Sequence, residues 1–423
     1  MVKVAEEGVG GEAGEMRLTL DELAREGARR MLVAALEVEV AAYVEAHRET
    51  RDEAGHAEVV RNGRGRVRRV TVGSGTLPVR APRVDDRRVD EAGERQRFRS
   101  RILPPYMRRS PKVAEVLPLL YLRGLSTGDF RAALPVLLGE DAAGLSPTTI
   151  TRLTAEWDTE YQTWRKRSVV DRDYVYVWVD GVHFTIRLEE DRLCTLVMIG
   201  VRPDGTKELI AVEDGYREST ESWRTVLRDL KARGMTAPVV AVGDGALGFW
   251  AAVRDVWPET QAQRCWVHRL ANVLDKLPQR LQPQAKRALH EIMNAATRDQ
   301  AETAITAFTS EYGAKYPKAV AALARDQAQL LTFFAFPAEH WKHLRTTNVI
   351  ESPFATVRLR QRVTKGAGSR TKGLLMAYKL LRMAEERWRR VDGPQLLPLV
   401  RAGVTFTDGV QVERKDTQRK DAA

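Results

Sequence analysis

A chain of 423 residues is too long for one ordinary core and calls for two or three domains, and its 43% hydrophobic residues are ample to pack them. No apolar run approaches the roughly 18 residues of a membrane span, and the start Met1-Val-Lys-Val-Ala-Glu-Glu-Gly lacks the basic and apolar blocks of a secretory signal. Two cysteines, Cys194 and Cys265, do not make a disulfide framework, so a cytoplasmic protein is expected. The 68 Lys and Arg against 57 acids give a net charge of +11, and the excess is concentrated in two blocks. Residues 61–109 hold 15 Arg, no Lys and 5 acids, a net +10, and residues 341–390 hold 13 basic residues and 3 acids, again +10. Clustered basicity of this kind is the footprint of a phosphate backbone. A membrane surface is the competing anionic partner, but neither block forms an amphipathic helix with one apolar face.

Residues 1–16 are rich in Gly, Glu and Ala without periodicity and are expected to form a disordered tail. Residues 17–110 read as an N-terminal helix followed by an Arg-rich β-hairpin. Leu20, Leu23, Met31, Leu32, Ala35, Leu36 and Val40 recur at helical spacing through Tyr43, with Thr19 or Asp21 as cap. The helix packs within the monomer or serves as a dimer element, and sequence does not choose between them. The stretch Arg61 to Val72 passes through Gly73-Ser-Gly75 into Thr76 to Arg80, two short strands around a Gly-rich turn. Arginines alternating with Val70 and Val72 would line one face of this ribbon. Because guanidinium suits bidentate phosphate and guanine contacts, Arg61, Arg64, Arg66, Arg68 and Arg69 are DNA-binding candidates, with a solvated charged face as the plain alternative.

Residues 111–170 read as helical, with segments at Lys112–Arg123, Thr127–Leu138 and Pro147–Trp157. Ser146 followed by Pro147 is a cap and first-turn pair. A short helix opening with Thr148, Thr149 and Arg152 resembles the recognition helix of a helix-turn-helix, although many helical linkers look alike.

Residues 171–265 carry the pattern around which the chain is organised. Tyr174 to Val179 is a β-forming run without Gly or Pro, and Asp180-Gly181 after it reads as the point where the strand stops. Pro238-Val-Val-Ala-Val-Gly243 ends the same way, in Asp244-Gly245. If the two strands are neighbours, their carboxylates repel unless a cation sits between them, which is what a divalent-metal site needs; otherwise Asp-Gly is only turn chemistry. Between them lie strand-like His183–Arg187 and Cys194–Gly200, a hairpin turn at Pro203–Thr206 into Glu208–Val212, and a helix capped by Ser219 or Thr220 that ends near Gly234. A helix through Trp250 and Val253 and a strand near Thr260–Cys265 complete a mixed sheet with helices on its faces, the element order of an α/β RNase H-like fold. Residues 266–340 read as an all-helical insertion. In residues 341–392, Asn348 is a candidate cap near Glu351, Pro353 is tolerable in a first turn, and Arg358, seven residues after Glu351, falls within about 20° of the same helix face. A basic final helix, Lys372–Arg390, carries the apolar stripe Leu375, Tyr378, Leu381, Met383 and Trp388, and residues 393–423 read as a frayed tail.

Val179-Asp180-Gly181, Val242-Gly-Asp244-Gly-Ala246, Cys265-Trp266-Val-His268 and Thr347-Asn348-Val-Ile-Glu351 followed by Arg358 together resemble the mutator family of bacterial insertion-sequence transposases, over nearly the whole chain. The resemblance implies an Asp-Asp-Glu triad of Asp180, Asp244 and Glu351 on an RNase H-like core, binding two Mg²⁺ ions, with Mn²⁺ able to substitute. Mg²⁺ takes hard oxygen ligands and is completed by substrate phosphate, so hydrolysis of one strand at each element end and transfer of the freed 3′-hydroxyl to a target strand need no covalent protein nucleophile. It further implies a homodimer acting on double-stranded DNA, the terminal inverted repeats and the target, near the nucleoid, with no membrane and no small-molecule substrate. Cys265 and His268 share one face of a helix start, yet two ligands do not make a zinc site. They and Arg358 are expected to support the active site, with Arg358 buried beside a phosphate. Trp266 is a candidate for core or, alternatively, for stacking on an unpaired base. Arg360, Arg362, Lys365, Arg370 and Lys372 complete the DNA-contact candidates. A DNA-binding protein without catalysis and a non-joining nuclease of the same fold are the alternatives; the triad argues against the first, and only a strand-transfer assay separates the second.

Overall fold

The computed structural model describes residues 19–122, 133, 134, 136, 138, 147–186, 193–215, 218–245, 248–364 and 366–412. The chain divides into two compact units, residues 1–149 and 150–423.

The first unit opens with α1 (Leu20–Ala46). Thr19 is its cap: the side chain accepts from the Glu22 amide while the Glu22 carboxylate accepts from the Thr19 amide at 2.8 Å, a reciprocal capping box. Strands β1 (Val59–Arg64), β2 (Arg68–Val72), β3 (Gly75–Val79) and β4 (Pro82–Asp86) follow, paired antiparallel as β1 with β4 and β2 with β3. The expected hairpin is thus β2–β3, nested inside a second pair that the sequence reading lacked. Leu36 from α1 packs with Val70, Leu77, Val79 and Leu103 in a small core. Helix α2 (Pro111–Leu122) matches the first predicted helix of the next segment. The expected segment Thr127–Leu138 lies outside the described residues except at isolated positions.

The second unit is α/β. Helix α3 (Pro147–Arg165) leads into it, Tyr161 donating to the Val212 carbonyl at 2.8 Å. Its sheet has five strands, β5 (Tyr176–Phe184), β6 (Leu193–Val201), β7 (Lys207–Gly215), β8 (Val240–Gly243) and β9 (Gln261–Arg264), in the spatial order β7-β6-β5-β8-β9. The first three are an antiparallel meander, and β8 and β9 run parallel to β5. A right-handed parallel connection needs a crossover, and helices supply it: α4 (Thr220–Ala232), capped by Ser219, precedes β8, and α5 (Phe249–Val256) precedes β9. Trp223, Leu227, Phe249 and Val253 of these helices bury one sheet face against Val177, Val179, Leu196 and Met198. On the other face Tyr176 meets His340 Nδ1 at 2.9 Å, and Trp178 donates to the His343 carbonyl at 3.0 Å.

After β9 come α6 (Trp266–Leu274), α7 (Gln282–Asn294), α8 (Arg298–Tyr312) and α9 (Pro317–Ala324), then α10 (Asn348–Thr364) and α11 (Arg370–Glu385). Among the described residues no helix is long and apolar enough to cross a membrane. Three local expectations are corrected. Strand β5 does not stop at Asp180-Gly181 but continues to Phe184, because β6 pairs with it along its whole length, Asp180 opposite Val197 and His183 opposite Cys194. Asn348 is the first helical residue of α10 rather than its cap; the carbonyl of Thr347 accepts from the Glu351 amide, and Pro353 falls inside the helix. Residues 393–412 are folded, with Leu397, Val400 and Phe406 buried and a small hairpin pairing Phe406–Thr407 with Val410–Gln411.

Candidate active site

Asp180 and Asp244 arrive by the register of two parallel strands. Trp178 pairs with Val242, the last paired position of the two strands; β8 ends at Gly243, so Asp244 follows directly at its end, while Asp180 lies two residues beyond Trp178 within β5. Each carboxylate turns back on the following glycine: Gly181 N–H donates to Asp180 at 2.8 Å, and Gly245 N–H donates to Asp244. Trp250 Nε1 donates to the Asp244 carbonyl and pins the loop that carries it.

Glu351 is set by a tie between two distant segments. The amide of Cys265 donates to the Gly243 carbonyl at 2.9 Å, anchoring the start of α6 to the end of β8. The amide of Trp266 donates to the Arg345 carbonyl at 2.9 Å, anchoring it to the segment before α10. Thr347, fully buried, closes the link: its Oγ1 hydrogen-bonds Glu351 Oε1 and stands 3.2 Å from Cys265 Sγ. Donor atoms of Cys265, His268 and Glu351 lie within 4.8 Å of one another, His268 Nδ1 being 3.9 Å from Glu351 Oε1.

A fourth acid joins them. Glu218, just before α4, has no partner in the motif pattern and was not singled out by sequence reasoning. Burial pushes the Asp180 carboxyl up to about 7, and the charge of Glu218 adds to it, as does that of Glu351; the Gly181 amide and His268 oppose the shift. Burial also pushes Glu218 up to about 7, with Asp244 adding to it. His268 is also pushed up, to about 9, which favours its charged form, first through the Cys265 thiol beside it and then through the charges of Asp244 and Glu351. Burial opposes ionisation of Cys265, but His268 and Thr347 outweigh it and bring the thiol below its ordinary value. Crowded carboxyls forced towards protonation are the signature of a pocket that lacks a counter-charge. Carboxylates are the ligand type a hard divalent cation takes; among the described residues, the groups whose donor atoms all lie within 4.8 Å of one another are Cys265, His268 and Glu351, and His183, Cys194 and Glu218.

The remaining candidates separate. Trp266 is fully buried and its indole N–H donates to the Leu330 carbonyl at 2.9 Å, so it is core, and the stacking role falls because no face of the ring is open to a base. Arg358 is exposed, 5.8 Å from the centre of the Phe354 ring, which corrects the expectation of a buried guanidinium beside Glu351. The buried one is Arg360, only 1% exposed, which removes it from the DNA-contact candidates. The helix explains the exchange: Ile350, Phe354, Val357 and Arg360 recur at i, i+4, i+7 and i+10 and form the stripe that packs inward. Arg362 and Lys372 are exposed, Arg370 is paired with Asp214 at 2.8 Å, and Lys365 lies outside the described residues. In the N-terminal unit Arg61 and Arg64 both pair with Glu37, at 2.7 and 2.8 Å, and Arg68 donates to the Pro104 carbonyl, while Arg66 and Arg69 are exposed. Thr148, Thr149 and Arg152 fall in α3, with their side chains outside the described residues.

The family model of the Mutator-family transposases matches residues 5–390. The chain belongs to that family. It is 59% identical over 302 residues to the transposase for insertion sequence element IS6120 of Mycolicibacterium smegmatis, covering 71% of this chain and 93% of the relative. It is 51% identical over 286 residues to the transposase for IST2 of Acidithiobacillus ferrooxidans, covering 66% of this chain and 94% of the relative. A probable transposase for an ISRM3-like element of Sinorhizobium fredii is 28% identical over 374 residues, 88% of each chain.

Proposed function

We propose that this mutator-family transposase mobilises a bacterial insertion sequence by cutting and joining DNA strands at an active site made of Asp180, Asp244 and Glu351 in an RNase H-like domain. The observation that carries the reading is the register of β5 and β8, which pairs Trp178 with Val242 and so brings together the stretches that carry Asp180 and Asp244, supported by the effect of the Glu351 charge on Asp180. The strand order, three antiparallel strands followed by two parallel ones added beside the first, supports the RNase H-like assignment.

Asp180, Asp244 and Glu351 would hold two Mg²⁺ ions, which supply a Lewis acid for the leaving oxygen and a means of activating water or a 3′-hydroxyl for in-line attack at phosphorus. The chain's own residues do the positioning. The glycine amides hold one oxygen of each aspartate. Thr347 holds one oxygen of Glu351. His268, carrying a proton near neutral pH, screens Asp180, Asp244 and Glu351 from one another. Cys265 serves as the structural hinge of the tie rather than as a nucleophile. The substrate is double-stranded DNA, the element's terminal inverted repeats and its target, bound by a homodimer, and the exposed Arg66, Arg69, Arg362 and Lys372 supply backbone contacts.

The test is cleavage and joining on a labelled duplex of the element's own end, with Mg²⁺ or Mn²⁺, for the wild type against Asp180→Asn, Asp244→Asn and Glu351→Gln. Loss of both reactions with DNA binding retained supports the triad. Full activity in any one variant removes that residue from the metal site, and cleavage without joining by the wild type on paired ends turns the reading to a nuclease.

A further inference from the structure

The face of the sheet covered by α4 and α5 carries a second group of metal-ligating side chains at its edge. His183 and Cys194 are directly opposed across the β5–β6 pair, and opposed residues project to the same face. Gly181 lies two residues before His183 and so shares that face. Its lack of a side chain matters: a Cβ there would overlap the Glu218 carboxylate, which lies across the gap. Glu218 is fixed from behind, its carbonyl accepting from the Gly248 amide at 3.0 Å. The result is an imidazole, a thiol and a carboxylate whose donor atoms all lie within 4.8 Å of one another, His183 Nε2 being 3.4 Å from Glu218 Oε1.

We propose that His183, Cys194 and Glu218 form a binding site for a divalent transition metal of the zinc class, separate from the Mg²⁺-type carboxylate cluster. The donor set decides the class. Nitrogen, sulfur and oxygen from three residues, with a fourth position left to solvent, match the open tetrahedral sites of Zn²⁺, whereas Mg²⁺ disfavours sulfur and demands oxygen. The His183 side chain is 45% exposed, and Cys194 is buried at 1%. Among the described residues a second mixed group, Cys265, His268 and Glu351, offers donors of the same kinds. It shares Glu351 with the proposed catalytic triad, whereas the His183 group contains none of the triad's three residues, Glu218 being the fourth acid beside them.

The experiment is titration of the full-length protein with Co²⁺, read by the sulfur-to-metal charge-transfer absorption that a thiolate ligand produces, and competition of that band by Zn²⁺. The expected result is one thiolate-bound Co²⁺ per chain, displaced by Zn²⁺ and not by Mg²⁺. The band persists in Cys265→Ser and in Asp244→Asn, disappears in Cys194→Ser, and loses affinity by roughly tenfold or more in His183→Ala and Glu218→Gln. Because Cys194 is buried, the exposed His183→Ala variant carries the test if Cys194→Ser fails to fold. A band that survives His183→Ala unchanged, one that vanishes in Cys265→Ser, or no band in the folded wild type each overturns the site. Failure of this site leaves the triad assay untouched, and failure of the triad leaves the band in place.

Discussion

The two units of the chain treat charge in opposite ways. In the N-terminal unit several of the 15 arginines of residues 61–109 are paired with acids of the same unit. Arg61 and Arg64 converge on Glu37, Arg87 and Arg95 on Asp85, and Arg88 on Asp86, whose carboxyl that guanidinium holds down at about 2. In the sheet domain, by contrast, Asp180 and Glu218 are pushed up to about 7 because burial and like charges surround them. Opposite charges in contact hold a fold together, whereas like charges held in one buried place cost stability that packing has to offset. The second arrangement persists where chemistry needs it. Net charge along the sequence therefore exaggerates how many arginines the ribbon offers to DNA, and local composition gives no hint of the acid cluster.

The comparison breaks most visibly if the like charges can be removed without consequence. Asp180→Asn, Asp244→Asn and Glu351→Gln are each expected to lower cleavage and joining by roughly 10³-fold or more, with gel-shift affinity for the element's end unchanged. Next in size is the packing that holds the tie between the two acid-bearing segments. Trp266→Ala is expected to cost about 3–5 kcal/mol of stability, read as a lowered Tm. An unshifted Tm with weaker binding to unpaired ends would return Trp266 to base stacking.

A smaller effect follows from the raised carboxyls. Between the ordinary carboxylate range and about 7 the native state holds protons on Asp180 and Glu218 that the unfolded chain has released. Stability of the metal-free protein therefore falls as pH rises through that window. Mg²⁺ relieves the repulsion between the ionised acids, so the increase in Tm that it produces is expected to grow from about pH 5 to about pH 8. A Tm increment that stays constant with pH would show that the acids do not bind the ion. The smallest effect lies in the ribbon. Glu37→Gln is expected to cost less than about 1 kcal/mol, since its pairs are half-exposed. By releasing Arg61 and Arg64 it is expected to steepen the salt dependence of DNA binding by about one to two ions. No change in slope would mean that these arginines do not face the DNA.

Much of the sheet domain was legible because its signals are local. Runs such as Tyr174–Val179 and Pro238–Gly243 have only one comfortable conformation when flanked by turn residues, and Ser219 with Thr220 marks a helix start on its own. Asp180, Asp244 and Glu351 could be picked out because each falls within a recognisable motif. Glu218 could not, since nothing beside it in sequence says that Gly181, nearly forty residues earlier, leaves the space it fills. The one available signal was a glycine inside a strand, which marks a close approach by another group.

What the sequence determined by itself, then, is the order of strands and helices in the sheet domain, the three candidate acids and the helical content after Cys265, all of which rest on interactions within a few residues. What only the tertiary structure decided is which of these positions meet. Strand β5 runs past Asp180 because β6 pairs with it, Arg360 is inside and Arg358 outside because one stripe of α10 packs inward, and His183 faces Cys194 because of a register set over nine residue pairs. Register and burial are properties of two segments together, so neither segment's own sequence contains them.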